Sequence, residues 1–94
     1  MAEKLSDTVI QEQVDQLGSW RLQGNMISKI FQFSSFPAAV AFVTHVAFLA
    51  EAAGHHPDVD IRYNKVMLVL TTHDAGGLTQ KDFSLAAQVD EILG

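Results

Sequence analysis

Residues 35–72 read SFPAAVAFVTHVAFLAEAAGHHPDVDIRYNKVMLVLTT, and this stretch decides the fold. Ser35 can accept a free amide of a first helical turn through its hydroxyl, and Pro37 falls where a missing N–H costs little. From there Phe36, Val40, Val43, Ala47 and Ala50 form one stripe at helical spacing, with Phe42, Val46, Leu49 and Ala53 beside it. A face that wide predicts a well-buried helix. Gly54 is a natural residue to end it, and Pro57 forbids easy continuation. Two strands follow, Val59 to Tyr63 and Val66 to Thr72, joined near Asn64-Lys65. Val66-Met67-Leu68-Val69-Leu70 is apolar on both faces, as in a strand inside a sheet or one that pairs with another subunit.

Working outward, Leu5, Val9, Ile10, Val14 and Leu17 recur at helical spacing, with Ser6 or Asp7 to cap the start and Gly18 to stop it. Trp20 to Gln23 and Met26 to Phe33 flank Gly24-Asn25, a pair suited to a tight hairpin. In the second run Ile27, Phe31 and Phe33 share a face, and Lys29 is the odd member of that row. On the other side, Gly76-Gly77 marks a turn. Thr79, with Asp82 three residues on, makes an N-cap followed by an acidic residue that suits the helix dipole. Phe83, Ala86, Ala87, Val89, Ile92 and Leu93 supply the buried face of a last helix. The order α-β-β-α-β-β-α predicts an α+β domain, an antiparallel sheet covered by helices.

The chain has 94 residues, 48% apolar and 18% charged, a formal net charge of −5 and no cysteine. That length gives a single domain over residues 1–94. Without Cys there is no disulfide scaffold, no thiolate nucleophile and no Cys-ligated zinc, which fits a reducing compartment. An acidic balance without a Lys/Arg cluster argues against a nucleic-acid surface. The apolar run Ala38 to Ala50 is interrupted by Thr44 and His45 and is shorter than the ~20 residues of a membrane span. The start shows no basic patch leading into an apolar core. A soluble, cytoplasmic protein is expected. Its chemistry must come from oxygen and imidazole groups.

Those groups concentrate in Glu51-Ala-Ala-Gly-His55-His56-Pro57-Asp58. Pro57 pushes His56 toward an extended backbone, so the two imidazoles should point in different directions. His73 closes the long strand beside the Gly76-Gly77 turn. Each residue also has a plain structural explanation. His55 can satisfy a carbonyl at its helix end, His56 can be a surface histidine, and His73 a solvated loop residue. Asp82 can serve only its helix cap, Glu51 can be a solvated face residue, and His45 a flank histidine without chemistry. Taken singly, none demands a site.

Taken together they do. Glu51, three residues, His55-His56-Pro57, five residues, Tyr63, nine residues, His73, eight residues, Asp82: this series resembles the signature of the pterin-4a-carbinolamine dehydratases. Trp20, the Ile27 to Phe33 strand, Phe36, Ala39, Phe42 and Val46-Ala47 resemble the family's first half. Tyr63-Asn64-Lys65-Val66, Thr72-His73 and Gly77-Leu78-Thr79 resemble its second. The likeness runs from about Leu17 onward.

The resemblance implies a four-stranded antiparallel sheet with helices on one face, assembling as a homodimer or homotetramer. It implies dehydration of 4a-hydroxytetrahydropterin to the quinonoid dihydropterin, in the recycling of tetrahydrobiopterin for aromatic amino acid hydroxylases. Carried over, it makes His55, His56 and His73 the catalytic histidines. Asp82, Glu51, Pro57 and Asp58 become substrate-binding residues; Asp82 can accept hydrogen bonds from the pterin or orient an imidazole, and Glu51 stands behind His55 to fix its tautomer. No metal or cofactor is called for. Losing the 4a-hydroxyl as water needs one proton delivered to oxygen and one removed from N5, and imidazole can do either near neutral pH. Two rivals stand beside this. A zinc hydrolase could use three histidines and a carboxylate, but adjacent His55 and His56 should diverge and no H-E-x-x-H pair exists. A non-enzymatic dimerisation or assembly cofactor could share the fold, yet it would have no need of three histidines and Asp82.

Overall fold

The structure, a computed structural model, describes residues 2–93. Ser6 accepts the Val9 amide and opens α1 (Asp7–Leu17), which Gly18 ends at φ 88°. A short hairpin follows, β1 (Arg21–Gln23) and β2 (Met26–Gln32), turning at Gly24-Asn25. Ser35 caps α2 (Phe36–Ala53) by accepting from the Ala38 amide at 3.2 Å. Then come β3 (Asp58–Arg62), β4 (Lys65–Leu70), a single 3₁₀ turn at His73–Ala75, and α3 (Gln80–Ile92). Among the described residues the four strands form one antiparallel sheet in the order β1-β2-β4-β3. The sequence order and the fold class agree.

Alternation along the strands sends one set of side chains to the helices and the other to solvent. Val66, Leu68 and Leu70 of β4 are buried together with Ile27 and Phe31 of β2, whereas Ile30 on the opposite face is 63% exposed. The helices therefore cover one face. The apolar strand β4 lies inside the sheet, between β2 and β3 of its own chain. Beside it, Phe42 of α2 packs against Phe31 of β2 and Phe33 just past that strand, with ring centroids 4.8 and 4.9 Å away. Lys29, the odd charge in an apolar row, is explained by α3. Its Nζ donates to Asp90 Oδ1 at 2.9 Å, and Trp20 Nε1 donates to Asp90 Oδ2 at 3.0 Å.

Several expectations need correction. Only Ala39, Phe42, Val46 and Ala50 of α2 are buried; Phe36, Val40, Ala47 and Ala53 of the expected face stay exposed, as does Phe48. A single sheet face can cover one flank of a helix, so the wide apolar surface outruns what this chain can bury. At 18 residues α2 is long and apolar enough to cross a membrane by length and composition, although the uninterrupted run within it is shorter. The second hairpin turns at Tyr63-Asn64, one residue early, with Arg62 opposite Lys65 and Tyr63 at φ 53°. Strand β4 stops at Leu70, because Thr72 leaves the ladder to bridge Gly77. Leu85 of α3 is buried, while Ala87 and Leu93, the residue that follows the helix, are exposed.

Candidate active site

The position of His55 is set by the way α2 ends. The Gly54 amide donates to the Glu51 carbonyl and the His55 amide to the Ala50 carbonyl, both at 3.1 Å, with Gly54 in the left-handed region at φ 63°. This paired closure needs a residue that tolerates positive φ, which is why glycine stands there. It reverses the chain sharply. His55 is thereby carried off the helix and toward α3.

There it meets Asp82. His55 Nε2 lies 2.5 Å from Asp82 Oδ1, with the two side chains 11% and 0% exposed. Asp82 Oδ2 accepts the Thr79 amide at 2.9 Å and the Thr72 hydroxyl at 2.8 Å. One carboxylate thus completes the capping box of α3 and holds an imidazole. The burial of a carboxylate is costly unless its oxygens are satisfied, and here each oxygen has a donor. Among the described residues no buried side-chain nitrogen or oxygen lacks a partner.

His56 is held differently. Pro57 keeps it extended, and its Nε2 lies 3.0 Å from Glu51 Oε1, with side chains 66% and 82% exposed. The expectation that Glu51 stands behind His55 is therefore corrected. Glu51 sits on the outer flank of α2's last turn, and the closure at Gly54 takes His55 away from that flank while returning His56 to it. The two imidazoles do diverge. Beside them a hollow of about 220 Å³ is lined by Val43, Ala47, Glu51, His56, Pro57 and Val59.

His73 opens the 3₁₀ turn and is exposed. It lines a separate hollow of about 180 Å³ with Asn25, Met26, Thr71, Gly76 and Gly77. Its chain neighbour Thr72 is the residue that donates to Asp82, so the turn bearing His73 is anchored on the His55 pair. Asp58 stands apart: it is exposed, and its partner across the ladder is Val69, on the face away from the helices. Thr72 is a contributor that local reading misses, and Thr79, expected only as a helix cap, contributes to the site as well. Their signal was present in Thr72-His73 and in the cap at Thr79. Among the described residues no three His, Asp or Glu side chains stand together as a metal-ligand set.

The fold and site define a small antiparallel-sheet domain whose imidazole–carboxylate pairs cluster where helix and strand ends meet. The family profile described as Pterin 4 alpha carbinolamine dehydratase matches residues 3–92, and the chain belongs to that family. A protein of Chloroflexus aurantiacus, provisionally named a pterin-4-alpha-carbinolamine dehydratase, is 66% identical over 91 residues, covering 97% of this chain and 98% of its own. A Roseiflexus protein with the same provisional name is 67% identical over 93 residues, covering 99% and 100%. The crystal structure of a transcriptional coactivator/pterin dehydratase from Brucella melitensis superposes with TM-score 0.92 at 31% identity, covering 98% of this chain and 100% of that one. A pterin dehydratase-like protein described as a RuBisCO assembly factor in the alpha-carboxysome gives TM-score 0.68 at 33% identity, covering 81% and 90%.

Proposed function

We propose that the protein dehydrates 4a-hydroxytetrahydropterin to quinonoid dihydropterin and water, with histidines as the general acid and base. The hydroxyl leaves C4a with a proton delivered to its oxygen, and a proton leaves N5 as the C4a–N5 double bond forms. The observation that carries this reading is the His55–Asp82 pair, a buried carboxylate aligned on a nearly buried imidazole, within the span that the family profile matches. Such a partner orients the ring and supports the imidazolium that a proton-transfer step creates. His55 acts at the hydroxyl and His73 at the other proton, while His56, with Glu51 and Pro57, positions the ring. Asp58 faces away from the helices and has the weakest claim among the substrate-binding candidates.

A cytoplasmic setting and the recycling of tetrahydrobiopterin for an aromatic amino acid hydroxylase belong to the same proposal. So does assembly into a dimer or tetramer, supported by the exposed Phe36, Val40 and Phe48 on the outer flank of α2. That flank also supports a second, non-enzymatic reading, as an assembly or dimerisation partner, since a structural neighbour is described as an assembly factor. The test is turnover of chemically generated 4a-hydroxytetrahydropterin by the purified protein. Dehydration well above the spontaneous rate is expected. A rate equal to the spontaneous one, with the fold intact by circular dichroism, defeats the enzymatic reading.

A further inference from the structure

We infer that Thr72 and Thr79 form a one-way hydroxyl relay onto Asp82 that fixes the tautomer of His55, leaving Nδ1 as its working nitrogen. The directions follow by elimination. Thr72 Oγ1 lies 2.8 Å from Asp82 Oδ2, which as a carboxylate oxygen accepts, so the Thr72 hydrogen is committed there. Thr72 Oγ1 also lies 2.9 Å from Thr79 Oγ1, and with its own hydrogen spent it accepts from Thr79. Thr79 Oγ1 in turn accepts the Lys81 amide at 3.3 Å. Each hydroxyl donates once and accepts once, with no freedom to reverse.

The consequence falls on Asp82. Its Oδ2 takes two hydrogens, from Thr72 and from the Thr79 amide, so both donors secure Asp82 as an acceptor. Oδ1 then accepts from His55, which places the imidazole hydrogen on Nε2. Nδ1 keeps its lone pair. Among the described residues Nδ1 has no protein partner, and no buried side-chain nitrogen is left without one, so Nδ1 reaches solvent. It is the only nitrogen of His55 that a substrate can approach. Thr72 touches neither substrate nor the reacting nitrogen, so it is a positioning residue, held by the bridge to Gly77 and by donation from the Ala75 and Gly77 amides to its carbonyl at 3.1 and 3.3 Å.

Long-range ¹H–¹⁵N NMR of the uniformly labelled protein, above the imidazole titration range, reads the tautomer directly. The expected spectrum of the wild-type chain shows His55 as the Nε2–H form alone; an Nδ1–H or mixed signature overturns the inference. Thr72→Val, nearly isosteric, should turn the His55 signature into a mixture, and Thr72→Ser should restore it. An unchanged signature in Thr72→Val, or one that Ser fails to restore, removes Thr72 from the relay. The kinetic arm rests on the dehydratase reading: Thr72→Val should lower kcat about 10- to 100-fold with little change in KM, the scale of losing an outer hydrogen-bond partner that fixes an imidazole's tautomer. If the wild-type protein has no turnover but shows the Nε2–H signature, the proposed function fails and the relay stands.

Discussion

Two histidines adjacent in the chain are held in opposite ways. His55 is packed onto a fully buried aspartate whose other oxygen takes two further donors, while His56 pairs with a glutamate across open solvent. The distances alone, 2.5 and 3.0 Å, understate the contrast. An exposed pair gains little, because water and salt screen it and two mobile side chains must be ordered to make it. A buried pair fixes geometry, and removing one member strands the other. His-His-Pro is thus two devices: one imidazole whose orientation a buried carboxylate fixes, and one paired loosely in open solvent.

The largest effect that could break this contrast is on stability. Asp82→Ala should destabilise the fold by about 3 kcal/mol, through the lost cap and the stranded His55, as read by urea unfolding. A loss as small as that expected of an exposed residue would place the pair in solvent. His73 decides which side of the comparison it belongs to: His73→Ala should lower kcat by about tenfold or more if the exposed turn contributes the second proton-transfer group. An unchanged kcat would leave the chemistry to His55 alone. Gly54→Ala meets no atom within 4 Å, so only its φ of 63° is at stake. A cost of about 1 kcal/mol in stability is expected, with kcat falling further because His55 is displaced. Glu51→Gln should change stability by less than about 0.5 kcal/mol, and any effect on KM should fade with added salt.

How much of this was legible in the sequence follows from how local each device is. Ser35, Gly54 and the Thr79/Asp82 box are signals spanning three or four residues, and they mark both helices correctly. The diverging imidazoles follow from Pro57. What could not be read is long-range. The family resemblance puts Asp82 near an imidazole, but it lies 27 residues from His55, and nothing local in either segment says that it meets His55 while Glu51, four residues before His55, does not. The pattern puts the turn one residue late, near Asn64-Lys65, because the observed turn at Tyr63-Asn64 holds a tyrosine in the left-handed region, where a non-glycine residue is uncommon. The outer flank of α2 reads as buried but is exposed, since an apolar pattern reports a tendency to be buried and not what is available to cover it.

The most direct measurement is the paired rate of dehydration of 4a-hydroxytetrahydropterin by His55→Ala and His56→Ala in stopped flow. His55→Ala should lose roughly 10²-fold or more in kcat, the scale of a positioned acid or base, while His56→Ala should act chiefly by raising KM. A kcat loss in His56→Ala equal to or greater than that in His55→Ala would contradict the assignment of proton transfer to the buried pair.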